Sequence, residues 1–444
     1  MTELARSETG DARSSARWLD WNNSAALVRN VDRLAVLIAI LLPWSTTGVG
    51  VAVVLWLIAL APTIEPRALL QSFKRLPSAL PIAFFALVVA GLLWSDASAH
   101  ERMHQLSQVG KFLLLPLLIY HFERSPRGMA VFAAFLTSCA LLAIVSGITA
   151  LDPILSAKLY FSRGPFLPTS GIFVKNYIDQ GQEFSLCAVA LAYPVVTSLK
   201  EGRMKRALWL AAVALGLVAN MMFVVTSRTA LVTMPIMLVI FLLLHLRWQT
   251  AVAAIVAAVL LVVATWYTSP HLRGTVDKFR NDYYYTSVQN NESGMGSRLI
   301  YWGKSLKFFA DAPLIGHGTG STRGLFEQAA VGQIGAKGMV VSDPHNQTLN
   351  VAVQWGAIGV TLLYAMWLVH LALFRGEGLV SWIGLLVVIQ NMLTSLLNSH
   401  LFDFNEGWIY VLGVGIAGGM TLAGRASLRA PGEPGSASAS RSQP

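Results

Sequence analysis

Residues 343–374 read DPHNQTLNVAVQWGAIGVTLLYAMWLVHLALF, a short polar edge followed by an apolar run. The run is longer than the roughly 20 residues that a helix needs to cross the hydrocarbon core of a bilayer. Of the 444 residues, 55% are hydrophobic and only 13% are charged, whereas a soluble domain carries roughly 25% charged residues. The stretch therefore predicts a membrane-spanning helix whose boundary is marked by a polar cluster, Asp343 to Asn346.

Similar apolar segments recur along the chain. They predict an all-α polytopic membrane protein with about twelve transmembrane helices. A Pro at position 116 interrupts the short fourth segment, so the count is open between about eleven and thirteen. The segments lie at 31–43, 47–63, 79–95, 108–121, 129–150, 182–199, 205–225, 229–246, 250–267, 345–374, 379–398 and 406–424.

The Lys and Arg residues of the short loops predict the orientation, because cytoplasmic loops are enriched in them. With the N-terminus inside, the outer short loops contain only Arg102 and Arg228. The inner ones contain Arg67, Lys74, Arg75, Arg124, Arg127, Lys200, Arg203, Lys205, Arg206, Arg247 and Arg375. Both termini are therefore predicted to be cytoplasmic, and two longer connections, 151–181 and 268–344, then lie outside.

This orientation divides the chain into five parts. The tail is rich in Ala, Pro, Gly and Ser, a composition that predicts disorder. The largest polar part is an outer loop between the ninth and tenth helices. The five parts are a cytoplasmic N-terminal segment (1–30), helices one to nine (31–267), the outer loop (268–344), helices ten to twelve (345–424) and a cytoplasmic tail (425–444).

The formal net charge of +10 is spread between hydrophobic segments. Such a distribution is typical of topology signals and of contacts with anionic membrane lipids, and it argues against nucleic acid as a partner. Cys139 and Cys187 lie in apolar runs, so they predict buried thiols and neither a disulfide framework nor a metal cluster.

Two arginines are candidates for binding an anion. Arg228 lies in a polar break at the predicted outer face, where it either snorkels at a tight turn or binds phosphate oxygens through its guanidinium fork. Arg298 opens a predicted helix over 298–310, in which Leu299, Trp302, Leu306 and Phe309 recur at helical spacing. The outer loop that contains this helix is expected to pack on the membrane domain. The following Gly316, Gly318 and Gly320 lack the spacing of known phosphate loops and predict a turn.

His345 is the candidate general base. A His at the membrane boundary, next to Pro344 and polar residues, suits proton transfer near neutral pH. The alternative is a helix-capping cluster with Asp343 as the cap and Pro344 in the first turn. The two interpretations are compatible, because a capped helix end can also carry the base.

His100, Glu101 and His104 match the H-E-x-x-H pattern of zinc proteases. The spacing places both imidazoles on one helix face, but the match lies in a short polar outer loop without a convincing third ligand. A metal site is therefore not expected.

A second polar group precedes the last helix. It either orients His345, binds sugar hydroxyls or is simply solvated, and solvation is the preferred interpretation. Asp343, Asn346, Arg163 and Asp403 are expected to bind substrate or to support the site. The polar group comprises Asn398, His400, Asp403, Asn405 and Glu406.

Taken together, these motifs resemble the O-antigen ligase and polymerase superfamily, and most closely the lipopolysaccharide O-antigen ligases of Gram-negative inner membranes. The similarity in topology covers about residues 30–425, and the motifs are confined to about residues 226–360. They are Ser227-Arg228, Arg298 with Trp302, Pro313 to Gly316 with Gly318 and Gly320, and Pro344 to Asn346 with Leu349, Trp355-Gly356 and Gly359.

The resemblance implies a membrane glycosyltransferase that takes a glycan from undecaprenyl diphosphate and joins it to a lipid A-core sugar at the periplasmic face of the inner membrane. It implies that His345 is the essential histidine and that Arg228 and Arg298 are the essential arginines. The corresponding chemistry has His345 activate the acceptor hydroxyl while the two arginines hold the diphosphate. Inversion at the anomeric carbon follows, and no metal or other cofactor is expected.

Other functions remain open. Within the superfamily, an O-antigen polymerase or a protein O-oligosaccharyltransferase differs only in its acceptor. A transporter of lipid-linked glycan also needs an outward cationic cavity, but it makes no new glycosidic bond.

Overall fold

The computed structural model describes residues 24–158, 171–172, 174–225, 227–253, 256, 267, 281–282, 284–286, 289–291, 294 and 296–429. The described residues form helices and no β-strand, which confirms the all-α class. The first helices are α1 (Ser24–Leu41), α2 (Thr46–Leu60), α3 (Pro66–Phe73), α4 (Leu76–Ala90), α5 (Ala99–Gly110), α6 (Leu114–Phe122), α7 (Gly128–Leu151), α8 (Pro153–Lys158), α9 (Tyr177–Ala190) and α10 (Ala192–Lys200). They are followed by α11 (Met204–Asn220), α12 (Arg228–His245), α13 (Gly296–Asp311), α14 (Thr322–Ala330), α15 (Gly335–Gly338), α16 (Gln347–Leu373), α17 (Leu379–Thr394) and α18 (Phe404–Arg429).

Several of these helices are long and apolar enough to cross a membrane. Within the described residues, six qualify by length and composition, and the pair α3 and α4, bent by 81°, gives up to seven. They are Thr46–Thr63, Gly128–Leu151, Tyr177–Lys200, Met204–Val225, Gln347–Leu373 and Phe404–Leu428.

Each apolar segment predicted from the sequence coincides with a helix, except 250–267, which lies largely outside the described residues. The number of twelve spans and the position of the outer loop therefore stay predictions. The ends of the first and last helices differ from the prediction. Helix α1 begins at Ser24 and not at residue 31, and α18 continues to Arg429 and not only to residue 424.

An aromatic cluster fills the core between α4, α16 and the segment before α18. The rings of Phe84 and Trp355 are 5.7 Å apart, and those of Trp355 and Phe402 are 6.0 Å apart. Phe112 joins the cluster at 5.8 Å from Phe84. Phe84, Phe112 and Trp355 are fully buried, so these large side chains hold α16 and the 398–403 loop, which links α17 to α18, in fixed positions.

Helix α16 is interrupted at Gly356, whose backbone has φ 59° and ψ −155°. This region of backbone conformation is essentially restricted to glycine. A Cβ at this position would lie 2.4 Å from the carbonyl carbon and oxygen of Leu314. Gly356 is therefore required both for its conformation and for the close approach of a second chain segment.

That second segment is residues 312–320, here called the glycine loop. It replaces the hydrogen bonds that the break removes from α16. The backbone N–H groups of His317 and Gly318 donate to the carbonyls of Val353 and Gln354 at 2.9 and 2.8 Å. In the opposite direction, the N–H of Ala357 donates to the carbonyl of Pro313 at 2.8 Å. The broken helix and the loop thus satisfy each other's backbone groups where water is scarce.

The predicted helix over 298–310 is confirmed as α13, and it packs against α16 as expected. The apolar residues at helical spacing do not form the buried face of α13. Leu299 and Leu306 are exposed, whereas the buried positions include Ser297, Tyr301 and Ser305. The buried face therefore carries polar groups, and hydrophobic spacing does not identify it.

We predict that Gly356→Ala destabilises the protein. The alanine would have to adopt a strained conformation and displace Leu314, at a cost of about 1–3 kcal/mol for the strain alone. The apparent melting temperature in detergent should fall by roughly 5 °C. Gly147→Ala in α7, where an added Cβ meets nothing within 4 Å, is the control. An unchanged melting temperature for Gly356→Ala would contradict the role of the break.

Candidate functional site

His345 lies at the turn that precedes α16, and its backbone φ of 56° is unusual for a non-glycine residue. Its N–H donates to Oδ1 of Asp343 at 2.8 Å. The indole N–H of Trp302 on α13 donates to the carbonyl of Pro344 at 3.1 Å. The ring of Tyr301 lies 6.2 Å from the imidazole. The turn is thus held in a strained conformation by both neighbouring segments, a feature that often accompanies function.

A chain of hydrogen bonds sets the protonation of the His345 ring. Nδ1 lies 2.6 Å from Oδ1 of Asn398, and Nδ2 of Asn398 donates to Oδ2 of Asp403 at 2.9 Å. The bond to Asp403 directs the Asn398 amide nitrogen away from the histidine, so the amide oxygen must accept from Nδ1–H. In the neutral ring, this hydrogen bond leaves the lone pair on Nε2, as a general base requires. Within the described part of the chain, Nε2 has no hydrogen-bond partner.

Asn398 and Asp403 belong to the second polar group, and for both the solvated interpretation is wrong. The structure instead supports the alternative that these residues orient His345. Lys111, which is buried, anchors their loop by donating to the carbonyl of Phe402 at 2.8 Å and to the carbonyl of Asp403. Of the other members, His400, Asn405 and Glu406 are also buried, so solvation does not apply to them either.

The pKa of His400 is affected by two charged side chains of the site. Burial, and then the charges of Arg298 and His345, lower the pKa of His400 to about 3. Arg298 therefore lies within electrostatic reach of this loop, on the same helix as Tyr301 and Trp302. A neutral His400 does not compete with His345 for a proton near neutral pH.

The capping prediction needs correction. The cap of α16 is Asn346, whose Oδ1 accepts from the N–H of Leu349 at 3.0 Å, and not Asp343. The helix begins at Gln347, so Pro344 lies before it and not in its first turn. Asp343 instead accepts from Ser399 Oγ at 2.6 Å, in addition to the His345 N–H. Asp343 and Asn346 thus support the turn that carries His345.

The structure describes less of the other two candidate arginines, Arg228 and Arg163. Arg228 is the first residue of α12 and follows the buried Ser227, but its side chain lies outside what the structure describes. Arg163 lies outside the described residues altogether. Of the predicted basic residues, Arg298 is the one that the described geometry brings to His345.

The sequence analysis did not predict a row of amide side chains on α16, which follows the His345 turn. Nε2 of Gln354 donates to Oδ1 of Asn350 at 2.7 Å, and Nδ2 of Asn350 donates to Ser399 Oγ at 3.1 Å. Oε1 of Gln354 accepts from the N–H of Gly320 at 2.7 Å. The row ties the glycine loop to the 398–403 loop. Asn346, Asn350 and Gln354 recur every four residues in an apolar helix, and this polar stripe is the signal that could have revealed the row.

The glycine loop is a turn, as predicted. Its N–H groups at Gly318, Thr319 and Gly320 donate to Gln354 O, Gly91 O and Gln354 Oε1. They are occupied by protein acceptors, so they do not form a cradle for phosphate.

The H-E-x-x-H residues lie on α5, and the rings of His100 and His104 stack on one face with centroids 6.4 Å apart. Within the described residues, no group of three or more His, Cys, Asp or Glu side chains could hold a metal ion. Glu101 and His104 instead line a small polar cleft together with Asp343 and Asp403. The two cysteines are free and buried, as expected.

A family model described as O-antigen ligase matches residues 211–364. Over these residues the chain is similar to the O-antigen ligase family. The family is of the ligase and polymerase type of membrane glycosyltransferases. The match includes Arg228, Arg298 and His345, whereas Asn398 and Asp403 lie beyond it. No curated protein matches the chain.

Asp403 should make the stability of the protein depend on pH. Burial, and then the nearby carboxylates Asp343 and Asp179, raise the pKa of Asp403 from 3.8 to about 8, against the opposing charge of Lys111. The folded state therefore binds more protons than the unfolded chain between these values, and stability should fall as pH rises through this range.

We predict that Asp403→Asn flattens this dependence. The apparent melting temperature of the unaltered protein should fall more steeply between about pH 5 and about pH 8 than that of the variant. The measurement is a thermal unfolding series in detergent at fixed ionic strength. Parallel curves for the two proteins would show that Asp403 is not held protonated.

Proposed function

We propose that the chain is an O-antigen ligase. It transfers the glycan of an undecaprenyl-diphosphate donor to a sugar of the lipid A-core oligosaccharide, at the periplasmic face of the bacterial inner membrane. The reaction needs no metal and inverts the anomeric carbon. The family match supports a lipid-linked glycan and a lipid acceptor in general, and the hydrogen bonds of the His345 ring support a transfer assisted by a base.

The observation that carries the proposal is the hydrogen-bond chain from Asp403 through Asn398 to His345. It leaves the lone pair of the neutral imidazole on Nε2. In the reaction, Nε2 accepts the proton of the acceptor hydroxyl while that oxygen forms a bond to the anomeric carbon. The bond from this carbon to the diphosphate oxygen breaks, and undecaprenyl diphosphate leaves with the electron pair.

Arg298 binds the diphosphate in this proposal. Its helix is fixed to the histidine turn through Trp302, so the distance between the cation and the base does not depend on a flexible connection. A guanidinium matches two phosphate oxygens at once and stabilises the charge that develops on the leaving group. Arg228 supplies the second cation. The two guanidinium groups take the place of the divalent metal of other glycosyltransferases.

The acceptor distinguishes an O-antigen ligase from the related transferases. An O-antigen polymerase would extend the glycan on undecaprenyl diphosphate, and a protein O-oligosaccharyltransferase would place it on a hydroxyl of a protein. A transporter would form no glycosidic bond. The test is reconstitution in liposomes with a lipid-linked glycan and rough lipopolysaccharide, and a ladder of glycosylated lipopolysaccharide is expected, with full activity in excess EDTA.

We predict that His345→Ala lowers turnover by about 10²–10⁴-fold, the usual contribution of a general base. Donor binding, measured by the amount of labelled lipid-linked glycan that remains with the protein on affinity capture in detergent, should be preserved because Arg298 is unchanged. The control is His100→Ala, which removes an exposed imidazole from α5. Equal transfer by His345→Ala would remove this residue as the base. Glycan on another acceptor, or activity restored only by zinc, would overturn the assignment.

A further inference from the structure

An apolar groove of about 300 Å³ lies between α7, α9, α10, α11, α17 and α18, away from the His345 turn. Leu136, Leu210, Ile383 and Leu412 are among the residues that line it. Among the described residues that line it, Arg206 is the one with a charged side chain. A cavity of this size and polarity beside membrane-spanning helices accepts a hydrocarbon chain and not a polar ligand.

The charged end of the groove lies at the end of the helix bundle opposite the candidate site. The N–H of Gln347 at the start of α16 donates to the carbonyl of Ser395 after α17, so these helices form a hairpin with its open end at the site. Leu379, the first residue of α17, therefore lies at the far end, and it lines the groove together with Arg206.

Arg206 is suited to bind an anion there. It is the third residue of α11, its side chain is exposed, and it forms no ion pair or hydrogen bond within the described part of the chain. Three further basic residues, Lys200, Arg203 and Lys205, lie in or beside the short connection between α10 and α11. Of these, Arg203 is paired with Glu201 at 3.1 Å. A basic loop at a membrane boundary attracts anionic lipid head groups.

We propose that the groove binds one acyl chain of an anionic glycerophospholipid whose phosphate contacts Arg206. The lipid comes from the leaflet that faces away from His345. This position separates it from the glycan donor, whose diphosphate belongs at the His345 end. The apolar lining provides the affinity for the chain, and the unpaired guanidinium selects an anionic head group over a zwitterionic one.

The test is native mass spectrometry of the purified full-length protein, after exchange into detergent that contains equal amounts of phosphatidylglycerol and phosphatidylcholine. We expect one retained phosphatidylglycerol. Arg206→Ala should reduce its retention by about fivefold, the contribution of one basic residue near an anionic lipid. Ala133→Phe, which fills the groove and leaves the arginine, should reduce it as well.

Lys205→Ala is the matched control, because it removes one positive charge from the residue next to Arg206 but lies outside the groove lining. It should retain phosphatidylglycerol like the unaltered protein. Melting curves without added lipid confirm that the variants are folded, and phosphatidylglycerol should raise the melting temperature of the unaltered protein but not that of Arg206→Ala.

Equal retention by Arg206→Ala and the unaltered protein would overturn the proposal. No preference between the two phospholipids, or no retained lipid, would do the same. Recovery of a polyprenyl phosphate that Ala133→Phe displaces would also overturn it, by assigning the groove to the tail of a donor lipid.

Discussion

A helix that opens inside a membrane protein leaves peptide groups that hydrocarbon cannot satisfy. In this chain the glycine loop satisfies them, by pairing with α16 on both sides of Gly356. The pairing ties the outer segment to the membrane helices. Because α13 enters this loop and Trp302 of α13 contacts the histidine turn, the same constraint fixes the position of Arg298 relative to His345. The geometry of the site thus depends on the break.

The sequence predicted those parts of the protein that local patterns determine. Apolar runs identified the helices, and the polar edge before α16 identified His345, because both signals lie within a few tens of residues. The break at Gly356 was not predicted, since glycine is common in membrane helices and its conformation depends on the distant Leu314. Likewise, the partner of the His345 ring, Asn398, is 53 positions away, and only the fold brings the two together.

The acidic residues of the site form hydrogen bonds with other residues of the protein. Asp343 holds the backbone of the turn and Ser399, and Asp403 orients Asn398. Neither carboxylate contacts the histidine ring directly. The imidazole is therefore positioned by a neutral amide, which in the proposed reaction fixes the tautomer without placing a full negative charge beside the diphosphate. In the same proposal the cation, Arg298, comes from α13, so base and cation are set by different parts of the chain.

The hydrogen bond to Asn398 should fix the tautomer of the His345 ring. Nitrogen NMR of protein labelled only at histidine, with His345 assigned from the spectrum of His345→Ala, measures this tautomer directly. We expect the neutral His345 ring to carry its proton on Nδ1 and not on Nε2, and we expect a mixture of tautomers in Asn398→Leu. A proton on Nε2 in the unaltered protein, or the same signals in both proteins, would contradict it.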